Sequence, residues 1–419
     1  MSDGPASEMR RILTFTSLFP SSARPRHGIF VKTRLQQVRR RFPVDVRVLA
    51  PVPWFPFRSG AFGEYAKFAA TPRRDTLDGD LQVSYPRYLM LPRVGVACQP
   101  DAMARAAMPE LEQLRADGWL PQLIDAHYLY PDGVAAALLA ERTGIPFVMT
   151  ARGTDVNVLA RLPGPGHRIA WAARRCATVI TVSSQLKQGL IELGVDADRV
   201  VVLRNGVDAE QFRPVDQALA RRELELPDGP VIAGVGNLVP EKGFEIAIEA
   251  LTLLPATTLV LVGEGPQRAS LAALARRRGV SDRVRMLPVM PQSRLPSLYS
   301  AADVLVLTST REGWPNVVLE ALSCGTPVAS VDVGAVSEML SDPSIGQVVG
   351  QRDPKLLAAA VLSLLKTPGA RDAARRHAAR FDWATIARAQ FELFENALAN
   401  APRKGARNGA PSAALSAPT

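Results

Sequence analysis

Short runs of valine, isoleucine and leucine alternate along this chain with stretches of helical periodicity, and that alternation confines the fold to parallel sheets wrapped by helices. In the second half, strands are expected at residues 231–235, 258–262, 283–287 and 303–307, separated by helices at 244–254, 267–278 and 295–301. An earlier series places strands at 11–17, 44–50, 122–127 and 146–150, helices at 28–41, 101–118 and 133–143, and further elements at 177–182, 185–193 and 200–203. Residues 51–80 interrupt it as a long irregular insertion. Between the two series lie a turn signal, Asn205-Gly-Val-Asp208, and a polar, proline-containing stretch to Pro230, where a hinge is expected. A chain of 419 residues, 47% of them hydrophobic, is too long for one ordinary domain. The expected fold class is therefore α/β, with two doubly wound parallel sheets and ligand sites at the carboxyl ends of the strands, in the cleft between them.

The strand at 303–307 runs into the densest chemistry of the chain, TSTREGWPNVVLEALSCGTPVAS at residues 308–330. A loop to Gly313 should lead into a helix with Pro315 in its first turn and Gly325 just past its end. Val317, Val318, Ala321 and Leu322 would form its buried face. Glu312 then sits on the loop and Glu320 inside the helix, while the free N–H groups near Pro315, Asn316, Val317 and Val318 make a ready phosphate site. Two carboxylates beside a helix end suit a sugar and a diphosphate together. Taken alone, the pair also fits a bland reading in which Glu320 complements the helix dipole and Glu312 is a solvated loop residue.

The surrounding pattern EGWPNVVLEALSCGTPV closely resembles the donor-binding signature of family four glycosyltransferases, retaining enzymes of the GT-B fold with two Rossmann-like domains. The resemblance implies that Glu312 contacts the donor sugar and Glu320 the ribose. Gly234-Val-Gly-Asn-Leu-Val-Pro-Glu-Lys-Gly243 is similar to the family's GRLxxxKG segment, which implies that Lys242 contacts the donor diphosphate. Asn237 stands where relatives usually carry arginine, so one of two usual positive groups is missing. Val262-Gly-Glu-Gly-Pro266 resembles the segment near the nucleotide base and brings in Glu264; an ordinary strand-to-helix turn reads equally well. Val333-Gly-Ala-Val-Ser-Glu338 resembles another recurring segment, in which Glu338 fits a structural role.

In the first half, Asp125-Ala-His127 ends a strand, where family members place a histidine near the reacting sugar; a lone histidine is otherwise more often structural. Arg152 in Ala151-Arg-Gly-Thr-Asp155 occupies a position where many relatives carry histidine. Being permanently charged, it cannot shuttle a proton, but it could bind phosphate or a carboxylated acceptor. Relatives with arginine there resemble enzymes of surface polysaccharide and teichuronic acid synthesis. The loop after the first strand matches the family's glycine loop, with Gly28 chosen for close backbone approach and Arg24, Arg26 and His27 beside it. His127 and Glu312 are the expected catalytic residues. Gly28, Lys242, Glu264, Asn316, Val317 and Glu320 are the expected donor-binding residues, with Arg152 and Asn237 as phosphate or acceptor contacts.

The resemblance also sets the domains: residues 10–206 on the acceptor side, 207–382 binding the donor, and a last helix at about 383–400 packing back on the first domain. Helices at 354–366 and 385–399 close the fold, with Phe381, Trp383, Phe391 and Phe394 as anchors. Residues 1–9 are expected to be flexible, and 401–419 too poor in apolar bulk to fold.

A net charge of +10 favours anionic partners, whether nucleic acid, nucleotide diphosphates or an acidic membrane surface. Arginine runs at 39–41, 276–278 and 375–376 read as solvated helix faces. Cys98, Cys176 and Cys324, far apart and odd in number, imply buried thiols rather than a disulfide framework or zinc site. Asp78-Gly-Asp80 and Asp196-Ala-Asp198 have a D-x-D spacing, but neither lies by Glu312, and no essential metal is expected. No apolar run approaches the ~18 residues of a spanning helix and no signal-peptide core is present, so a cytoplasmic protein is expected. Trp54, Phe55, Phe57, Phe62, Tyr65 and Phe68 crowd the insertion, either capping the first domain or offering a surface for a lipid-linked acceptor at the inner face of the membrane.

The function implied is retaining transfer of a sugar from a nucleoside diphosphate to a glycan or lipid-linked acceptor in exopolysaccharide or cell-envelope synthesis. No cofactor and no nucleic acid partner are expected. The rivals are a nucleotide-sugar epimerase on the same architecture and a non-catalytic nucleotide-sugar or polyanion binder.

Overall fold

The computed structural model describes residues 8–90 and 95–401. Most of the expected loose N-terminus and tail, residues 1–7 and 402–419, therefore lies outside the described residues.

The first half supplies β1 (Arg10–Phe15), β2 (Val44–Leu49), β3 (Val52–Pro53), β4 (Arg74–Leu77), β5 (Leu81–Ser84), β6 (Arg87–Tyr88), β7 (Leu123–His127), β8 (Phe147–Ala151), β9 (Thr178–Thr181) and β10 (Val200–Val202). Eight of them form one sheet in the order β10-β9-β8-β7-β1-β2-β5-β4, parallel except for the β4–β5 edge pair, and β3 pairs with β6. The second half supplies β11 (Val231–Val235), β12 (Thr258–Val262), β13 (Val284–Leu287), β14 (Val304–Leu307), β15 (Val328–Val331) and β16 (Gly346–Val349). These form a six-stranded parallel sheet, β13-β12-β11-β14-β15-β16. Every residue of β7, β8, β12, β14 and β15 is buried, as expected for parallel strands covered on both faces.

The insertion is more ordered than its sequence suggests. Residues 51–80 contain β3, a helix at Glu64–Ala70 and the edge strand β4. A helix at Pro163–Ala173 was equally hidden, because its Pro-Gly-Pro-Gly opening reads as a loop; proline is tolerated in a first helical turn, where its missing N–H has no partner to lose. Of the three cysteines, Cys98 is exposed, correcting the expectation of three buried thiols. Among the described residues no helix is long and apolar enough to cross a membrane.

The chain crosses between the halves near residues 203–208 and returns at 381–383. Val207 N–H donates to Phe381 O at 3.0 Å across this pair of crossings. The last helix, Trp383–Ala399, packs against the first, Ile29–Arg39: Phe391 stacks on Phe42 at 4.7 Å, and Phe394 and Ala397 join the core beneath β2. Arg34, buried at the centre of this packing, donates to Gln390 Oε1 at 2.9 and 2.6 Å and to Leu203 O at 3.2 Å, tying the first helix, the last helix and the crossing together.

Candidate functional site

Each sheet reverses its strand order at one place, between β1 and β7 in the first and between β11 and β14 in the second. Loops leaving the carboxyl ends of those strands diverge there and leave a crevice. The two crevices face each other across one cleft, which contains two adjoining cavities. The larger, about 560 Å³, is lined among others by Arg26, Phe30, Asn205, Gly236, Asn237 and Glu320. The smaller, about 290 Å³, brings Arg152, Lys242, Glu312, Asn316 and Val317 together. A further cavity of about 600 Å³ lies at the opposite, amino ends of the first sheet's strands and holds none of the expected site residues.

On the second half's wall, Lys242 Nζ and Glu312 Oε1 form an ion pair at 2.7 Å, and Ser309 Oγ donates to the same oxygen at 2.7 Å. Glu312 Oε2 has no partner among the described residues. The helix Asn316–Ser323 begins one residue later than expected, since Pro315 is extended (φ −73°, ψ 97°) and acts as the cap. No side chain caps this end, so its first amides open toward the cavity. Gly325 (φ +80°) ends the helix as expected, with Gly325 N–H on Leu322 O and Thr326 N–H on Ala321 O. Its buried face is Val318, Leu319, Ala321 and Leu322; Val317 is turned instead to the cleft, where it lines both cavities. Tyr299 Oη donates to Glu320 Oε2 at 2.7 Å, and desolvation pushes the Glu320 carboxyl up to about 7 despite that bond.

The first half's wall is a buried polar chain. Asp125 and His127, two apart on β7, point to the same face, and His127 Nε2 lies 3.0 Å from Asp125 Oδ2. Arg152 donates to His127 Nδ1 at 2.7 Å, which assigns the ring proton to Nε2, donating to Asp125. Burial and Arg152 hold the imidazole below its usual pKa against the opposing pull of Asp125, so the ring is neutral. Arg152 also donates to Asn205 Oδ1 at 3.3 Å, an oxygen shared with Arg34 at 3.2 Å. Asn205 Nδ2 in turn donates to Asn316 Oδ1 at 3.2 Å, and the chain reaches the other half. Burial raises Asp125, but His127, Arg34 and Arg152 more than offset this and leave it below its ordinary value.

The halves are in contact here. A Cβ on Gly313 would lie 2.1 Å from Arg152 O, and one on Gly153 (φ +132°) would lie 2.9 Å from Gly313 Cα. Nearby, Glu338 of the second half accepts from Ser184 N–H at 2.8 Å and Gln185 N–H at 3.3 Å, the first amides of the helix Ser184–Glu192, and pairs with Arg204 at 2.8 Å. The structural role expected of Glu338 is thus a clasp between the halves.

Lys242, Glu312, Asn316, Val317 and Arg152 are gathered in one cavity, with Asn237 and Glu320 in its neighbour. Three expected residues stand apart. His127 is 1% exposed with both ring nitrogens engaged, so Arg152 forms the cleft wall and His127 stands behind it. Gly28 (φ +65°) is required by the chain's own backbone, since a Cβ there would lie 2.1 Å from Leu18 O. Glu264 is exposed and lines neither cavity. His27 is tied into the glycine loop by Ser17 O at 3.0 Å and Arg24 at 3.1 Å. Asp78 pairs with Lys32 and Asp80 with Arg39, and neither aspartate lines the two cavities. Arg34, Asn205 and Tyr299 were not foreseen as site residues. The Asp-x-His spacing on β7 was the one signal that could have shown Asp125 as the histidine's partner.

Comparison with known proteins places this architecture. Residues 216–381 match the family model described as glycosyl transferases group 1, and residues 68–211 match the one described as glycosyltransferase family 4. The chain is 33% identical over 319 residues to a D-inositol 3-phosphate glycosyltransferase of Segniliparus rotundus, covering 70% of each. It is 32% identical over 337 residues to a Bacillus subtilis protein named as a teichuronic acid biosynthesis glycosyltransferase, covering 78% of this chain and 82% of that one. Among solved structures it superposes on sucrose-phosphate synthase of Thermosynechococcus elongatus with a TM-score of 0.78, at 20% identity over 94% of this chain and all of that one. HepE of Anabaena in complex with UDP-glucose superposes with a TM-score of 0.69, at 21% identity over 93% of this chain and all of that one.

Proposed function

The chain belongs to the family four glycosyltransferases and has the GT-B fold, and we propose that it transfers a sugar from a nucleoside diphosphate to an acceptor hydroxyl with retention of anomeric configuration. One observation carries this reading: Lys242 and Glu312 are paired at the uncapped start of the helix Asn316–Ser323, inside the cleft. The diphosphate would meet Lys242 and the first helical amides, donor sugar hydroxyls would donate to Glu312 Oε2, and ribose hydroxyls would donate to Glu320.

In the reaction the C1–O bond to the diphosphate breaks and its electron pair stays on the phosphate oxygen. The acceptor oxygen bonds to C1 from the same face, and its proton passes to that departing oxygen. The protein's task is to stabilise charge growing on the leaving group, a role that falls to Lys242 and the amides in this reading, with no metal or protein base invoked. A glycan or lipid-linked acceptor of the cell envelope is supported by the name of the Bacillus subtilis relative. Contact with an anionic membrane at the cytoplasmic face is supported by the exposed Trp54, Phe57, Phe62 and Tyr65.

A panel of nucleotide sugars incubated with and without cell-envelope lipid extract, in the presence of a chelator, tests the reading. One donor should be consumed only with extract, and Glu312→Ala should lower that rate by about 10²–10³-fold. Donor conversion without acceptor would favour an epimerase, and tight binding without turnover a binding protein.

A further inference from the structure

We propose that Arg152 supplies, from the first half, the second positive charge on the donor diphosphate that residue 237 does not provide, so that the leaving group meets both cations only when the halves are closed. This rests on the donor-binding reading above. Lys242 is already paired with Glu312 at 2.7 Å, so that pair brings little net charge to a diphosphate. Asn237 brings none. Among the described residues lining the cavity that holds Lys242 and Glu312, Arg152 is the one other cation. The arginines lining the larger cavity, Arg26 and Arg40, are exposed, where solvent screens them.

Arg152 is also short of a partner. Its terminal nitrogens donate to neutral acceptors, His127 Nδ1 at 2.7 Å and Asn205 Oδ1 at 3.3 Å, and its Nε is buried with no acceptor among the described residues. Arg34, buried nearby in a structural role, also has neutral partners only, but each of its three nitrogens donates to one, whereas Arg152 Nε donates to none. Here the nearby carboxylates are used elsewhere: Asp155 accepts from the Arg152 and Gly153 backbone amides, and Asp125 holds the far side of His127. Asp125 and His127 therefore act as positioning residues that fix where the guanidinium points.

Finally, Arg152 reaches the donor loop only because the backbones touch. Gly313 and Gly153 leave no room for a side chain between the segment carrying Arg152 and the one carrying Glu312. Opening the halves would withdraw Arg152 while leaving Lys242 in place.

The test is binding of UDP, GDP and ADP, each against its monophosphate, to the full chain and to Arg152→Ala, Arg152→Gln, Asn237→Arg and the Arg152→Ala/Asn237→Arg double variant. Loss of Arg152 should weaken the preferred diphosphate by about 10-fold while leaving its monophosphate within about 2-fold, and lower kcat/KM with the matching nucleotide sugar by about 10²-fold. Asn237→Arg should restore at least about 10-fold of that rate in the alanine background. Arg152→Gln keeps a hydrogen-bonding side chain and must show the same diphosphate-selective loss should the alanine variant fail to fold. Equal weakening of mono- and diphosphate overturns the proposal, as does failure of Asn237→Arg to rescue. Unchanged diphosphate binding with loss confined to hexuronate donors also overturns it, assigning Arg152 to a sugar carboxylate. If no donor turns over at all, the function proposed above fails, while the diphosphate comparison still decides the role of Arg152.

Discussion

The two walls of the cleft carry charge in opposite ways. On the second half, Lys242, Glu312 and Glu320 project from two short stretches of chain at strand ends, partly open to the cavities. On the first half, Arg34, Asp125, His127, Arg152 and Asn205 come from four separate segments and are locked into one buried hydrogen-bonded chain. The open wall is built to meet a ligand, and the buried wall to hold one guanidinium, that of Arg152, at its edge. Their meeting point is the Gly153–Gly313 contact, where the geometry of one wall depends on the other.

The largest expected effect breaks that dependence. Gly313 has ordinary backbone geometry, so Gly313→Ala should let each half fold, but its Cβ would lie 2.1 Å from Arg152 O and wedge the walls apart. We expect kcat/KM to fall by about 10²-fold, since displacement of about 1 Å at a reacting centre has that cost. Affinity for the nucleoside monophosphate should change by less than about 3-fold, because the donor wall is intact, whereas the diphosphate should weaken by about 10-fold as Arg152 is withdrawn, and calorimetry on the same variant checks both. An equal loss of affinity would mean that the two walls cannot be treated apart.

A smaller effect sharpens the donor wall alone. Desolvation raises the Glu320 carboxyl to about 7, so between its unfolded value of 4.5 and that point the folded state holds a proton that the unfolded chain has lost. Stability from this group therefore falls as pH rises through that window. In the proposed site ribose hydroxyls would donate to the charged carboxylate, so nucleotide binding should instead strengthen as pH rises through about 7. Glu320→Gln should flatten that rise and weaken binding at high pH by about 10-fold, or ~1.4 kcal/mol. A pH profile unchanged by the substitution would remove Glu320 from the nucleotide site.

The same contrast explains what could be read from the sequence. The second half's strands and helices fall close to their expected positions, because apolar runs and turn residues are local signals; β11 and β12 match the expected strands end for end. Lys242, Glu312, Asn316 and Val317 were picked out by the family resemblance of short segments, and each of those segments has a loop or helix end that faces the cleft. The buried wall was not. Nothing near Arg34 in sequence marks it as a partner of Gln390 and Asn205, and only the packing of the first helix on the last brings them together. His127 was visible, but its position behind Arg152 depends on β7 and β8 lying side by side, a tertiary fact. The ordered insertion was obscured because its strands of two and four residues and its seven-residue helix are too short to show a period.

The anomeric configuration of the product tests the central claim most directly. Proton NMR of the glycoside formed from the accepted α-linked nucleotide sugar should show the small H1–H2 coupling of an α-product for a gluco- or galacto-configured donor. That result is expected if the acceptor attacks from the face that the diphosphate leaves. A β-product would require a base on the opposite face, where the proposed site assigns none, and would contradict the two-walled donor site described for this enzyme.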